Sequence, residues 1–178
     1  MKPYIKGTTE IPPVKMIAAI LYNDESALEQ AIQKLESQFS PVDYRSEVFL
    51  FTQSDYYEDE MGSNLKRILI SFTKPVAPES LVEAKLFADQ IEKEALLLEK
   101  RSVNIDTGYI DLFKLVLASF KGRNNKIYIS HGIWADMVLY FKQGDFHPFE
   151  WSFPDFKSGI FNPALKEIRE KLKLQLRD

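Results

Sequence analysis

The sequence predicts an α+β protein built on an antiparallel sheet, with two helices on one face of its first half. Two observations lead there. Apolar runs of strand length are interrupted by two longer segments with helical period, in the order strand, helix, strand, strand, helix, strand. Neither a repeat nor a low-complexity linker separates them, so residues 1–178 are expected to form a single domain.

"IPPVKMIAAILY" opens the folded part. Pro12 and Pro13 force an extended lead-in, and Met16 to Leu21 is apolar and short enough for a buried strand. "NDESALEQAIQKLESQF" changes period: Ala27, Leu28, Ala31, Ile32, Leu35 and Phe39 share a helical face over 24–39. Asn23 or Asp24 serves as N-cap, and Pro41 ends the helix. "YRSEVFLFT" and "LKRILISFT" read as two strands joined by the acidic, tyrosine-rich "QSDYYEDEMGSN". Pro78 suits the first position of a second helix, 78–100, with Leu81, Ala84, Ala88, Ile91, Ala95 and Leu98 inside. "SVNID" is the fourth strand, delivering Asp106 into an expected Thr107-Gly108 turn. This βαββαβ order is the split βαβ, ferredoxin-like pattern, expected over 14–106.

Residues 107–178 then extend that core. "DLFKLVLASFKG" reads as a helix closed by Gly122, a buried strand being the alternative. "KIYIS" and "GIWADMVLYFK" alternate like strands, and "FHPFEWSF" returns as a hairpin after the "QGD" turn. Asn162-Pro163 starts a terminal amphipathic helix, with Leu165, Ile168, Leu172 and Leu176 inside.

Composition narrows the function. A net charge of −3 and a pI near 5.5 argue against nucleic acid, whose phosphates call for a basic surplus or face. With no cysteine, disulfides, thiolate nucleophiles and Cys-ligated metals are excluded. No apolar run approaches the ~20 residues of a membrane-spanning helix. "MKPYIKGTTEIPPVK" lacks the apolar stretch of a signal peptide, so a cytoplasmic protein is expected.

Four places carry side chains able to do chemistry. At "NIDTGY", Asn104 and Asp106 share one face of a strand, Gly108 permits close approach, and Tyr109 supplies a phenol. The same residues also suit an Asx-type turn. The loop holding Asp55, Glu58 and Glu60 offers oxygen ligands for a divalent metal, or is simply solvated. Tyr57 in that loop suggests folding back over a cleft. His131, one of two histidines, is the readiest proton carrier, and equally a turn residue. Among the cations, Lys66 and Arg67 precede the third strand and Arg101 the fourth. Lys121 follows "LFKLVLASF", inside which Lys114 requires a counter-ion such as Asp106 or Asp136 if buried.

"PVKMIAAILYND", "DYYEDEMG", "RSVNIDTGYI", "KLVLASFK" and "HGIWADMVLY", in that order over nearly the whole chain, resemble the prokaryotic DUF4416 family, of unknown function. Thr107 stands where the resemblance implies proline, and "SFK" at 119–121 where it implies "STK". Members are sometimes labelled GTP-binding. This chain has no G-x-x-x-x-G-K-[ST] loop, and "NNKI" at 124–127 lacks the aspartate of a guanine-reading N-K-x-D.

The reading preferred from sequence is a cleft near Asp106–Tyr109 that binds a small anionic, nucleotide-like or phosphorylated ligand, with turnover left open. Asp106, Tyr109 and His131 are its acid–base or metal-ligating candidates. Arg101, Lys114 and Lys121, with Asn104 and Tyr57, are its binding candidates, and a divalent metal is the candidate cofactor. The competing reading is a non-catalytic interaction module using a sheet edge or the C-terminal helix, and a homo-oligomer is compatible with both.

Overall fold

The computed structural model describes residues 11–52, 58–97, 100–123 and 125–177. β1 (Lys15–Tyr22) is buried at every position because it runs through the middle of the sheet. α1 (Glu25–Gln38) is capped by Asp24, whose carboxylate accepts from the Ala27 amide at 2.7 Å. The next strand-like run breaks into β2 (Val42–Arg45) and β3 (Phe49–Leu50), both paired to β4 (Lys66–Phe72). The one-turn α2 (Glu58–Met61) lies between β3 and β4.

α3 (Ser80–Glu94) is shorter than the 78–100 expected. Its continuation turns into a small hairpin, β5 (Leu96–Leu97) with β6 (Lys100–Arg101). β7 (Val103–Ile110) then runs straight through the Asp-Thr-Gly-Tyr segment, so the expected turn is strand. The reason lies at Gly108: a Cβ there would overlap the Val116 carbonyl oxygen and the Leu117 side chain. The glycine lets β8 (Lys114–Ser119) close in on β7 instead of turning the chain. β8 is where a helix was expected; its consecutive apolar residues are buried by both layers of helices, so no single helical stripe is needed.

β9 (Ile127–Ser130), β10 (Ile133–Lys142) and β11 (Asp145–Pro148) follow, then α4 (Pro154–Lys157) and α5 (Asn162–Gln175). The strand order is β11-β10-β8-β7-β1-β4-β2, with β3 also on β4 and β9 also on β10, every pairing antiparallel. Within it, the first four long strand runs stand in the order β7-β1-β4-β2.

Strand alternation sorts the side chains into two cores. Met16, Ala18 and Ile20 of β1, Ile68 and Ile70 of β4, and Ile105 of β7 pack under Leu28, Ile32, Ala84 and Ile91 of α1 and α3. On the opposite face Ile17, Ala19, Leu69, Leu115 and Leu117 pack under Phe156, Phe161, Leu165 and Ile168 from the α4–α5 segment. The result is helix, sheet and helix in three layers. Among the described residues, no helix is long and apolar enough to cross a membrane.

Candidate functional site

Register decides which polar side chains meet. Asp106 lies opposite Ala19, and Asn104 opposite Leu21, which in turn lies opposite Arg67 of β4. All three polar residues therefore point to the α4–α5 face. Arg67, about 4% exposed, reaches across β1 toward β7. Its Nη2 meets Asp106 Oδ2 at 3.3 Å, and its Nη1 donates to Asp155 Oδ2 of α4. The guanidinium also lies 5.1 Å from the Phe51 ring centre. Asn104 Nδ2 donates to Asp106 Oδ2 at 3.2 Å.

One guanidinium thus holds two carboxylates. Asp155 is buried, its side chain 5% exposed, whereas that of Asp106 is 28% exposed. Burial pushes the Asp155 carboxyl above its ordinary value, with Arg67 opposing and the nearby Asp106 charge adding to the rise. Asp106 is the member of the cluster that reaches solvent.

A second feature adjoins it. β8 pairs with β7 from Gly108 to Ile110, so among the described residues the earlier half of β7 has no strand on that side. Side chains of α3 take the strand's place at Ile105. Glu92 accepts from its amide at 2.6 Å, and Lys85 donates to its carbonyl at 3.0 Å. Glu92 also accepts from Arg101 Nη1 at 3.0 Å, and Arg101 Nη2 meets Glu60 at 2.5 Å. Burial raises the Glu92 carboxyl despite Lys85, and Asp106 raises it slightly further. Both buried carboxylates therefore feel Asp106.

On the α4 side, Asp136 is buried against Lys126 at 3.4 Å, and Asn125 donates to it at 3.0 Å. Burial raises the Asp136 carboxyl too. Lys126 stands 5.7 Å from the ring centre of Phe153, two residues before Asp155. The α4 segment thus touches both ionic groups.

Several expected partners do not converge. Tyr109 has the opposite strand parity to Asp106 and packs near Leu81, Val116 and Ile133 on the α3 side. Burial raises its phenol, with Lys114 opposing. Lys114 pairs with Asp111, not Asp106 or Asp136. Asp111 lies five residue steps along the chain from Asp106, a span of ~16 Å in extended backbone. His131 is exposed in the β9–β10 turn at φ 52°, its Nδ1 3.1 Å from Ser130 Oγ. Arg101 is committed to Glu92 and Glu60, and Lys121 is exposed beyond β8.

Asp55 and Tyr57 lie outside the described residues, and of Glu58 only the backbone, in α2, is described. Among the described residues, no group of three or more potential ligands is placed to hold a metal ion. On the C-terminal helix, Lys166 pairs with Asp145, and Arg169 and Lys173 with Glu170.

Sequence reasoning named Arg67 only as one cation among many, and missed Asp155, Glu92 and Lys85. A signal existed for two of them. Lys85 and Glu92 are seven residues apart, and both fall on the apolar face of α3, where unpartnered charges are costly. Asp155 had only the aromatic setting "WSFPDF".

These features define an α+β protein whose large antiparallel sheet carries a buried ionic cluster beneath a short helix. The chain belongs to the DUF4416 family, described as a domain of unknown function, whose sequence profile matches residues 12–172. Neither the curated proteins nor the solved structures provide a match.

Proposed function

We propose that the protein binds a small ligand bearing hydroxyl or amine donors at the Arg67–Asp106–Asp155 cluster, with Asp106 as the accepting group. One observation carries this. The cluster holds one more carboxylate than cation, and the surplus carboxylate is the one that reaches solvent. Asp155 already neutralises Arg67, so charge balance does not call for Asp106. Its charge instead acts against both Asp155 and Glu92. A group kept at a cost to its neighbours fits a binding role better than a packing role.

The anionic ligand expected from the sequence is less well supported. Of its intended cations, Arg101 and Lys114 are each matched by carboxylates. A sugar, a nucleoside or a polyamine offers Asp106 donors beyond Arg67 and Asn104; inorganic phosphate does not. We also read 14–106 as a ferredoxin-like core and 107–178 as its extension. The order β7-β1-β4-β2, with α1 and α3 on one face, supports this reading.

The test is thermal stabilisation by millimolar ribose, adenosine and spermidine, with inorganic phosphate as the contrasting probe. Ligand binding to the native state raises the melting temperature by mass action. The proposal expects a shift with at least one donor-bearing probe, lost in Asp106→Asn, and none with phosphate. No shift with any of the three, or one that survives Asp106→Asn, overturns it.

A further inference from the structure

Two hydrogen-bond acceptors stand open on one face of β7. Arg67 Nη2 and Asn104 Nδ2 both donate to Asp106 Oδ2, at 3.3 and 3.2 Å. Asp106 Oδ1 has no partner among the described residues, and neither has Asn104 Oδ1, although Asn104 is 6% exposed. Neither oxygen is sealed in: among the described residues, the enclosed side-chain atoms without a partner are Tyr22 Oη, Arg67 Nε and Thr107 Oγ1. The Asn104 amide cannot turn over, because its carbonyl would then face the Asp106 carboxylate. No open donor accompanies these acceptors. Arg67 is enclosed, with Nη1 on Asp155 and Nη2 on Asp106.

We infer that the ligand of this site is an organic cation, a primary amine whose ammonium donates to Asp106 Oδ1 and Asn104 Oδ1. The inference rests on the binding role proposed for Asp106 and narrows its ligands from hydroxyl or amine donors to amines. Hydrogen-bond chemistry makes the selection. A hydroxyl brings one donor together with an oxygen that would face other oxygens, whereas an ammonium brings three donors and no acceptor. Charge-assisted bonds of this kind are also the stronger ones.

Charge points the same way. Lys85 and Glu92 hold the carbonyl and amide of Ile105, the residue before Asp106, and so join the two ionic groups across β7. The joined cluster has three cations, Arg67, Lys85 and Arg101, against four carboxylates, those of Asp106, Asp155, Glu92 and Glu60. A positive charge on Asp106 completes the balance and relieves Asp155 and Glu92, both of which feel that carboxylate. A metal ion is the competing cation, and the donor set is too small for it. Divalent magnesium and calcium take about six or more oxygens. Among the described residues, no group of three or more histidine or acidic ligands is placed to hold one.

Putrescine, a four-carbon chain with an ammonium at each end, is compared with the butanediol that carries hydroxyls there instead. Fully methylated putrescine keeps both charges and has no N–H. Each is added to the full chain at ~10 mM in ~0.15 M salt, which screens general attraction to an acidic surface. Asp106→Asn and Asn104→Leu are measured alongside, with circular dichroism to confirm folding. Putrescine is expected to raise the melting temperature by about 2 °C or more, and the diol and the methylated diamine to leave it unchanged. The rise should vanish in Asp106→Asn, and the putrescine affinity should fall at least tenfold in Asn104→Leu; if that variant does not fold, the three probes on the unaltered chain decide. An equal rise with the diol or with the methylated diamine overturns the inference. So does a putrescine effect that survives Asp106→Asn, or an equal Mg²⁺ effect that Asp106→Asn abolishes. If ribose or adenosine stabilises the chain through Asp106 and putrescine does not, the Asp106 site stands and the amine assignment falls. Silence from every probe removes both.

Discussion

The two carboxylates on Arg67 differ sharply in what their neutralisation is expected to do. Asp155→Asn removes the carboxylate that Arg67 Nη1 holds while Asp106 stays on Nη2, so the cost is that of a lost charge-assisted hydrogen bond, about 1.5–3 kcal/mol. For Asp106 opposing terms largely offset one another. With its oxygen 3.3 Å from Arg67 Nη2, the attraction is about 5 kcal/mol at an effective dielectric constant of 20. Asp155, held on the neighbouring Nη of the same guanidinium, repels it by about 3 kcal/mol at ~5 Å. Glu92 adds to the repulsion. Asp106→Asn is therefore expected to change stability by less than about 1 kcal/mol in either direction, since the amide oxygen still accepts from Arg67. Urea unfolding of the three proteins at pH 7 measures both numbers. For a chain of this length Asp155→Asn lowers the melting temperature by roughly 4–10 °C, and Asp106→Asn moves it by about 2 °C or less. If Asp106→Asn costs as much as Asp155→Asn, Asp106 is part of the scaffold and the reasoning is refuted.

Glu92, Asp136 and Asp155 all titrate above their ordinary values of 4.5, 3.8 and 3.8 because of burial. The native state therefore holds their protons more tightly than the unfolded chain, and stability is lost as pH rises from those values through the raised ones. The urea midpoint should fall as pH rises above about 4.5, less steeply in Glu92→Gln; a midpoint that climbs across that range contradicts this. Gly108→Ala should cost about 1–3 kcal/mol by forcing β8 away from β7, and unchanged unfolding would show that the close approach is not needed. Asp24→Ala should cost about 1 kcal/mol through loss of the α1 cap, read from the same unfolding curves.

Helices were legible by period and two strands by length. α1 and α5 each show a single helical period, β1 and β4 are apolar runs of strand length, and each formed where it was expected. β8 defeated the method because burial on both faces erases alternation, leaving an apolar run that fits helix and strand equally. Gly108 was read as a turn because glycine marks turns and close approaches alike; only the neighbouring strand distinguishes them. Asn104 and Asp106 were correctly seen to share a face. Arg67 and Asp155, 88 residues apart in the chain, meet through β1 register and α4 packing, which no local pattern encodes. Tyr109 fell away by parity alone: three residues from Asp106 along a strand is the opposite face.

Titration of ¹⁵N-labelled protein with ribose, adenosine and spermidine, followed at the backbone amides and at the Arg67 Nε–H, addresses the binding claim at its source. The account predicts saturable shifts, with at least one probe, centred on Asn104, Asp106, Asp155 and the Arg67 side chain, and absent from Asp106→Asn. Shifts centred instead on the open groove of about 470 Å³ along α3, lined by Val82, Leu86 and Phe87, would contradict it. So would spectra that none of the three probes changes.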